Sequence, residues 1–556
     1  MLQSMFATLD GRLLEMTRTD TGENINRLFG HVEGIYLVLL PIFALFPKAE
    51  TLLVLQSLAL SAGGIAVYWN ARQAGLERTP ALFLAYAFWS FPYLANIAMA
   101  DFHSDVFMIF PHLLAWYCYK RDWHLGFWLC ILLGALCKEY ASVFNFALAC
   151  MIFPRHRKMA LGLIALALGY FFIVTPLVCL WVVRDGYHLQ LQQHAIPQSL
   201  MGILQQLTGK VFTLEFAINT LSLLLFLNIT LFRYIRGFIL ILPIYVGLTL
   251  ANPWGIFSTH RHAMLMAPLF ILLIEGLSRL PRSWHYRQAL WGTLAPSVLM
   301  MFFYPGSLFA QNLAEMTRKQ EYRNPFHYQY TFHDQITDSL LRLIPPGIPV
   351  ASDYGVRTKL ANRRYAFVHP FPIEPKQADF FLFDFFETLE YSHQEQRRQR
   401  CAALLLNSDF STLAYVDGIL ILSQSPRHSM HSSSLKFLDS LPNPELSFHI
   451  EASVALPWSD GFELRTRFIQ GRESPRAQAI VSFWISPEGD SLRVLHLPTY
   501  TQVDLRTLAP GRYEESFFFQ IPKGKSLRNR QHHLALYSKD DFLPFFSRPQ
   551  FLVKSF

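Results

Sequence analysis

The sequence predicts a polytopic α-helical membrane domain of about ten spans, followed by an α/β module and a C-terminal β-sandwich. Apolar residues make up 52% of the 556 residues and charged residues only 16%, against about 25% charged in soluble proteins. Apolar runs recur from Leu37 to about Pro305, whereas charges return to soluble frequencies from Gly306 onward. The chain therefore divides into a membrane half and a soluble half.

A helix needs about 20 apolar residues to cross the hydrocarbon core. The candidates are 51–70, 79–98, 104–119, 124–137, 139–153, 159–182, 212–232, 237–251, 263–280 and 286–305. The run 34–47 is shorter and contains Pro41, so we predict an interfacial or re-entrant helix. The predicted membrane domain thus covers residues 34–305. It follows residues 1–33 in the chain, which we predict to lie at the outer face.

Basic residues concentrate in alternate breaks between these runs, for example "RHRK" at 155–158. The positive-inside rule places such breaks in the cytoplasm. We therefore predict a multi-pass membrane protein in contact with membrane lipid, and the net charge of +8 does not indicate a nucleic-acid partner. The other breaks, including the long loop 183–211, then face outward.

The soluble half is predicted to consist of two extracytoplasmic modules. In residues 306–440, "HDQITDSLLRLIPPGIPVASDYGVRTKLANRRYAFVHPFP" alternates helix and strand patterns, and "ADFFLFDFF" and "GILILSQ" add strands. In residues 441–556, short alternating segments such as "FELRTRFIQG" and "AQAIVSFWIS" are separated by turn residues, which is the spacing of a β-sandwich.

The stretch "ADFHSD" at 100–105 contains Asp101, His103 and Asp105 between apolar runs. Such residues could simply mark where the chain leaves the bilayer. Ionisable residues at membrane depth are costly, however, and tend to mark functional sites. If the helix of the span 104–119 extends outward by a turn, the two aspartates share a face and form a carboxylate pair.

Further polar residues fall on the same predicted outer face, in "HVEG", "CKEY" and "STHRHAM". The first pair is equally compatible with a capping or solvated role, and the second with a local ion pair. The third group suits an anionic head group better than a metal, because its histidine spacing is not that of helical metal ligands. A divalent cation as cofactor remains an open alternative. These residues are His31, Glu33, Lys138, Glu139, His260, Arg261 and His262.

Several of these blocks resemble an uncharacterised bacterial multi-pass family, domain of unknown function 2079. They are "HVEGIYLVLLPIFALFPKAETLLVLQSLAL", "DFHSDVFMIFPHLLAWYCYKRDWHLGFWLCILLGALCKEYASV", "THRHAMLMAPLFILLIEGLSRL" and "IPPGIPVASDYGVRTKLANRRYAFVHPFP". The resemblance covers residues 10 to 425, roughly, and implies a location in the bacterial inner membrane. The residues that match the family's blocks are His31, Glu33, Asp101, His103, Lys138 and Glu139, and His262 matches a histidine at the head of its span. The family looks related to the GT-C glycosyltransferases, which take a sugar from a polyprenyl-phosphate carrier at the outer membrane face.

This kinship implies a GT-C-like fold, inverting transfer with an outward carboxylate as general base, and a basic pocket for the carrier phosphate. Asp101 or Asp105 would be the base or an acceptor-orienting acid, and Glu33 is a further catalytic candidate. Lys138, Arg261 and His262 would surround the carrier phosphate, and the soluble half would recognise a glycan or envelope acceptor. Members usually begin with a further membrane helix ahead of "QSMFATLDGRLLEMT", so we expect the chain to lack that helix. The alternative is a non-catalytic scaffold or carrier that binds a lipid-linked anion or an envelope partner.

Overall fold

The computed structural model divides the chain into two compact units, and we describe each by itself. The helical unit contains Met1, Gln3–Leu9 and Ile25–Ala314, and the second unit contains Leu2, Asp10–Asn24 and Glu315–Phe556. The structure describes residues 1–19, 21–99, 101–183, 201–202, 205, 208–209, 213–251, 262–303, 307, 309, 332–369, 377–384, 396–397, 400–401, 403–404, 409–416, 419–424, 434–440, 449–458, 461–471, 477–485, 487, 491–496, 509–519, 527, 531–538 and 551–555.

The helical unit is built from apolar helices that follow the apolar runs of the sequence. In chain order they are α1 (Leu2–Leu9), α2 (Ile35–Leu45), α3 (Ala49–Gln73), α4 (Arg78–Trp89), α5 (Pro92–Met99), α6 (Ile109–Lys120), α7 (His124–Cys137), α8 (Ala141–Ile152), α9 (Arg157–Gly169), α10 (Thr175–Val183), α11 (Leu214–Arg233), α12 (Phe238–Ala251), α13 (Ala263–Leu277), α14 (Arg282–Ala289) and α15 (Ala295–Phe303). Single π-helical segments, Tyr170–Val174 and Leu290–Leu294, join α9 to α10 and α14 to α15.

The mostly helical architecture is confirmed, whereas the number of membrane spans stays a prediction. Within the described residues, two helices are long and apolar enough to cross a membrane by themselves, Ala49–Gln73 and Arg157–Val178. Two bent pairs raise the number to four if each pair counts as one span: α4 with α5, bent by 48°, and Phe226–Arg233 with Ile235–Leu248, bent by 112°.

Helices α6 and α7 form a hairpin that sets the position of the polar loops. A short turn joins them, in which Asp122 adopts a φ of 55°. The two helices approach closely, because a Cβ on Gly134 of α7 would lie 2.5 Å from His112 Nε2 of α6. The hairpin brings the beginning of α6 and the end of α7 to the same end of the unit, where Asp105 and Lys138 lie.

The opposite end of α6 carries a second polar group, which we call the Glu275 cluster. Its members are Trp116, Lys120, Tyr234, Glu275 and Arg279. Glu275 on α13 accepts hydrogen bonds from Trp116 Nε1 at 3.2 Å and is paired with Lys120 Nζ at 2.9 Å. Arg279 is paired with the other carboxylate oxygen at 3.3 Å and covers the Tyr234 ring at 3.9 Å. These contacts fasten α6 to α13 at one level.

The predicted interfacial run contains α2, which includes Pro41. Its large side chains divide into two sets: Tyr36 and Phe43 are fully buried, whereas Leu45 and Phe46 remain exposed. One face of α2 therefore packs on the helical unit while an apolar face stays uncovered. That distribution suits a helix lying in an interface, although its place in a membrane remains a prediction.

The second unit contains an α/β part and a strand-rich part. Its helices are α16 (Phe332–Leu341) and α17 (Tyr354–Arg357). The strands of the chain are β1 (Glu15–Thr17), β2 (Asn24–Asn26), β3 (Val350–Ser352), β4 (Ala366–Val368), β5 (Phe380–Asp384), β6 (Ser411–Val416), β7 (Ile419–Ser423), β8 (Ser434–Asp439), β9 (His449–Trp458), β10 (Gly461–Gln470), β11 (Ala477–Ile485), β12 (Ser491–His496), β13 (Gly511–Phe519), β14 (Gln531–Ser538) and β15 (Phe551–Ser555).

The α/β part is a five-stranded sheet in the order β4-β3-β5-β7-β6. Strand β3 is parallel to β4 and β5, whereas β7 is antiparallel to β5 and β6. Residues of α16 and α17, such as Ile336, Leu340 and Val356, pack with Leu382 and Ile421 in its core. The amino-terminal segment contacts this part of the unit, because Thr17 Oγ1 of β1 accepts a hydrogen bond from the Ala366 backbone N–H at 3.1 Å.

The predicted outer-face segment 1–33 is divided between the units, since residues 10–24 belong to the second one. Beyond β7, two four-stranded antiparallel sheets follow, in the orders β8-β13-β10-β9 and β12-β11-β14-β15. The C-terminal region is thus strand-rich as predicted, and the sandwich arrangement of the two sheets stays a prediction.

Candidate functional site

Three separate segments of the helical unit bring charged side chains into one cluster. They are the loop 27–33, the turn 101–108 ahead of α6, and the connection 138–140 between α7 and α8. A short 3-10 helix, Ser104–Met108, precedes α6 and turns Asp105 inward. We call the group the loop cluster; its members are Arg27, His31, Glu33, Ser104, Asp105, Lys138 and Glu139.

The central contact of the loop cluster joins Lys138 to Asp105. Lys138 Nζ donates to Asp105 Oδ1 at 2.9 Å, with side chains only 5% and 1% exposed. Burial alone would lower the pKa of Lys138, but the charges of Asp105 and Glu33 outweigh burial and hold that pKa above its ordinary value. The ammonium group therefore stays charged at physiological pH.

Glu33 links the loop 27–33 to the turn ahead of α6. Arg27 Nε lies 2.9 Å from Glu33 Oε2, and Ser104 Oγ donates to Glu33 Oε1 at 2.6 Å. Burial would raise the pKa of Glu33, but Arg27, Lys138 and His31 together lower that pKa. Glu33 is therefore an ionised acceptor and not a proton donor at neutral pH.

Glu139 fastens the third segment to the first. His31 Nδ1 lies 2.6 Å from Glu139 Oε1, and the Val32 backbone N–H donates to Glu139 Oε2 at 3.1 Å. The His31 ring also meets Tyr140 edge-on at 5.5 Å. Lys138 and Glu139 are neighbours in sequence but contact two different segments. Lys138 contacts the turn ahead of α6, and Glu139 contacts the loop 27–33.

Asp101 and His103 lie at the rim of the loop cluster. Asp101 is exposed, and its Oδ1 accepts the Phe102 N–H at 2.7 Å. His103 Nδ1 lies 2.6 Å from the Asp101 carbonyl, and its backbone N–H donates to Gln56 Oε1 of α3 at 2.8 Å. Burial lowers the pKa of His103 although Asp101 and Asp105 oppose that effect, so the ring is a neutral hydrogen-bonding group at pH 7.

The predicted face-sharing of Asp101 and Asp105 does not occur. The 3-10 helix begins at Ser104, so no helical turn extends back to Asp101. Asp105 is consequently buried as the counter-ion of Lys138, while Asp101 stays at the surface. The two carboxylates occupy different environments and are suited to different roles.

Of the three residues predicted from "STHRHAM", His262 is described, whereas His260 and Arg261 lie outside the described residues. His262 precedes α13, is fully buried, and stacks on Tyr93 with ring centroids 5.4 Å apart. This stacking fixes the imidazole against α5. Contact between His262 and a phosphate stays a prediction.

Three residues that organise the cluster were not singled out in the sequence: Arg27, Gln56 and Ser104. Arg27 lies in a polar segment in which nothing distinguished it. Gln56 carried a usable signal, since it is polar within the apolar run "LLVLQSLAL". Ser104 stands between the named acids, and its role depends on Glu33, which is 71 positions away in sequence.

The carboxylates of the loop cluster are engaged by Lys138, Arg27, the Ser104 hydroxyl, the His31 imidazole and a backbone N–H. Within the part of the chain that the structure describes, no group of three or more His, Cys, Asp or Glu side chains could hold a metal ion. Asp105, Glu33 and Glu139 are directed at Lys138, Arg27 and His31 respectively. The arrangement can hold three segments in register and present ionised groups beside an exposed acid.

Comparison with known proteins gives a family and one distant fold similarity. A family model described as "Predicted membrane protein (DUF2079)" matches residues 1–421. The crystal structure of ArnT from Cupriavidus metallidurans in the apo state is similar at a TM-score of 0.45 and 12% identity, covering 77% of this chain and 93% of that chain. A similarity of this size assigns no residue roles. No curated protein sequence matches the chain.

Proposed function

The chain belongs to DUF2079, a family of predicted membrane proteins, and from that premise we propose that it is a membrane glycosyltransferase. Its donor is a polyprenyl-phosphate-linked sugar at the outer membrane face. The observation that carries the proposal is the loop cluster: ionised, buried groups at the helix ends of an apolar unit, with the exposed Asp101 at their rim. Such groups are costly in a membrane protein and mark functional sites.

Within this proposal, Asp101 is the general base, because it is exposed while Asp105 is committed to Lys138. The Asp101 carboxylate takes the proton of an acceptor hydroxyl as that oxygen bonds to the anomeric carbon. The bond from that carbon to the phosphate oxygen breaks on the opposite side, and polyprenyl phosphate leaves. A positioned base of this kind contributes about 10²–10⁴-fold to the rate.

The remaining residues position the base and the donor. Asp105, Glu33 and Glu139 hold the loop cluster together, and His103 fixes the Asp101 carbonyl. We assign His260, Arg261 and His262 to the carrier phosphate, because arginine binds phosphate through paired N–H donors. We further propose that the chain crosses the membrane ten times with its basic breaks in the cytoplasm. The soluble half then lies outside the cytoplasm and recognises the acceptor.

Radiolabelled sugar transfer from a polyprenyl-phosphate donor in proteoliposomes tests the base. Asp101→Asn should reduce turnover at least about 100-fold with unchanged unfolding behaviour, because its side chain is exposed. The matched control is Asp122→Asn, an exposed acid at the other end of α6, which should transfer at the wild-type rate. Equal turnover in wild type and Asp101→Asn removes Asp101 as the base.

One observation favours a second candidate, a non-catalytic carrier or scaffold that binds a lipid-linked anion or an envelope partner. Glu33, Asp105 and Glu139 are each held by groups of the loop cluster, which is an arrangement that a structural clamp also requires. Measuring sugar transfer and donor binding together in the wild type separates the two candidates. A carrier retains saturable donor binding in the wild type with no sugar transfer to any acceptor.

A further inference from the structure

The α/β part of the second unit contains a topological switch point. Strand β3 lies between β4 and β5 and is parallel to both, so the chain passes first to one side of β3 and then to the other. In open α/β sheets, ligands bind outside the carboxyl ends of the strands at such a point. The residues that follow β3, β4 and β5 therefore define a candidate site.

Three titratable residues occupy these carboxyl ends. Asp353 follows β3, His369 follows β4, and Asp384 ends β5; all three are buried. Asp353 Oδ2 accepts the Asp384 backbone N–H at 2.6 Å, and the His369 backbone N–H donates to the Ser352 carbonyl at 3.0 Å. These bonds tie the three strand ends together into one edge.

Two arginines converge on this edge. Arg397 Nε lies 3.1 Å from Asp353 Oδ1, and its Nη2 donates to the Asp384 carbonyl. Arg400 covers the Phe381 ring at 5.9 Å. Asp353 therefore orients Arg397, while an aromatic face supports Arg400.

Residues on the two sides of strand β5 differ in the charged groups that lie near them. Side chains alternate along a strand, so Phe381 and Phe383 face one side of the sheet and Asp384 the other. His369 stacks on the Phe383 ring at 4.2 Å and on the Phe381 ring at 5.9 Å, on the side that Arg400 covers. Arg400 and His369 thus share one side, and the Asp384 carboxylate projects from the opposite one.

The electrostatic consequences agree with this geometry. Burial, followed by the charges of Arg400 and Arg397, lowers the pKa of His369 well below its ordinary value. Burial also lowers the pKa of Arg400. The His369 ring is therefore neutral and lies in a positive field, and a guanidinium here has lost hydration that an anion would replace.

We propose that this edge binds a small oxyanion, a phosphate or a carboxylate group, through Arg397 and Arg400 with His369 as a neutral hydrogen-bonding partner. The planar guanidinium matches both groups by paired N–H···O bonds. The residues of this site belong to the second unit and the loop cluster to the helical unit, so the proposal does not rest on the assignment of Asp101 as the base.

Isothermal titration calorimetry on the full chain in nanodiscs of uncharged lipid tests the proposal with two probes, inorganic phosphate and glucuronate. The wild type should bind at least one probe, and the stronger of the two identifies a phosphate or a sugar carboxylate as the group recognised. Arg400→Gln should weaken that binding at least about 10-fold. Arg364→Gln, an exposed arginine of the same unit, should bind like the wild type.

Arg397→Gln would also remove the ion pair with Asp353, so a loss of binding in that variant has two causes. Arg400→Gln is therefore the decisive variant, provided that it unfolds like the wild type. The proposal is overturned if the wild type binds neither probe at millimolar concentration. It is equally overturned if Arg364→Gln and Arg400→Gln weaken binding to the same extent, because the anion would then be attracted by general surface charge.

Discussion

The two ends of α6 use the same chemistry in different ways. The Glu275 cluster surrounds one buried carboxylate with cations whose side chains are 30% and 41% exposed, Lys120 and Arg279. The loop cluster joins three carboxylates to cations and hydroxyls from distant segments, and Lys138 is 5% exposed. Exposed pairs contribute little and are screened by salt, whereas breaking a buried pair is expensive. The first cluster fastens two helices, and the second holds three segments together around the site that we propose.

The largest expected difference between the two ends comes from their lysines. Lys138→Met should lower the free energy of unfolding by about 3–5 kcal/mol, because Asp105 is left buried without its counter-ion. Lys120→Met should cost about 1 kcal/mol or less, since Arg279 and Trp116 still hold Glu275. Denaturant titration of both variants in detergent measures the two values.

Restoring neutrality provides the control for this pair. Lys138→Met combined with Asp105→Asn should recover part of the loss, because the second change removes the orphaned charge. Equal losses for Lys138→Met and Lys120→Met would mean that the two ends do not differ in the way we infer.

A smaller difference should appear at acid pH. The pKa of Glu33 is lowered in the folded chain, so its contribution is present above the unfolded value of about 4.3 and is lost as pH falls through the folded one. Glu33→Gln should therefore show a shallower loss of unfolding free energy between pH 5 and pH 3 than the wild type. The exposed Glu50→Gln should follow the wild type, and a wild-type slope in Glu33→Gln would contradict the assignment.

The smallest expected effect is the response to salt. Raising ionic strength from 0.1 to 1 M shortens the Debye length from about 10 to about 3 Å. Arg279→Gln should cost about 0.2–1 kcal/mol at low salt and almost nothing at 1 M, whereas the loss in Arg27→Gln should persist because the Arg27 side chain is 19% exposed against 41% for Arg279. Parallel salt dependence for both variants would show that the loop cluster is as accessible to ions as the Glu275 cluster.

The sequence predicted those helices of the helical unit that lie in continuous apolar runs, whereas α1 lies in the segment 1–33 and was not predicted. Helix α7 coincides with the predicted run 124–137, and α12 lies within one residue of the run 237–251. Whether a helix crosses a membrane depends on the bilayer as well as on the length of the helix. The number of spans is therefore not determined by the helices alone. The strands of the second unit followed from alternation in the same local way.

The candidate site was predictable by residue type but not by pairing. His31, Glu33, Asp105, Lys138 and Glu139 were singled out, and the structure brings all five together. Apart from Arg27, which lies in the same loop as Glu33, their partners were hidden because the contacts join segments far apart in sequence. The local geometry was also mispredicted at Asp101, since helix periodicity gives no warning that a 3-10 turn begins at Ser104.

The sequence separation of these partners has a consequence for how the protein is made. Arg27 and Glu33 leave the ribosome almost together, whereas Glu139 follows His31 by 108 residues. At roughly 5–20 residues per second, that interval is about 5–20 s. During this interval His31 of the loop 27–33 has no Glu139 to contact. Assembly of the loop cluster is therefore a late event in biogenesis, set by the arrival of the α7–α8 connection.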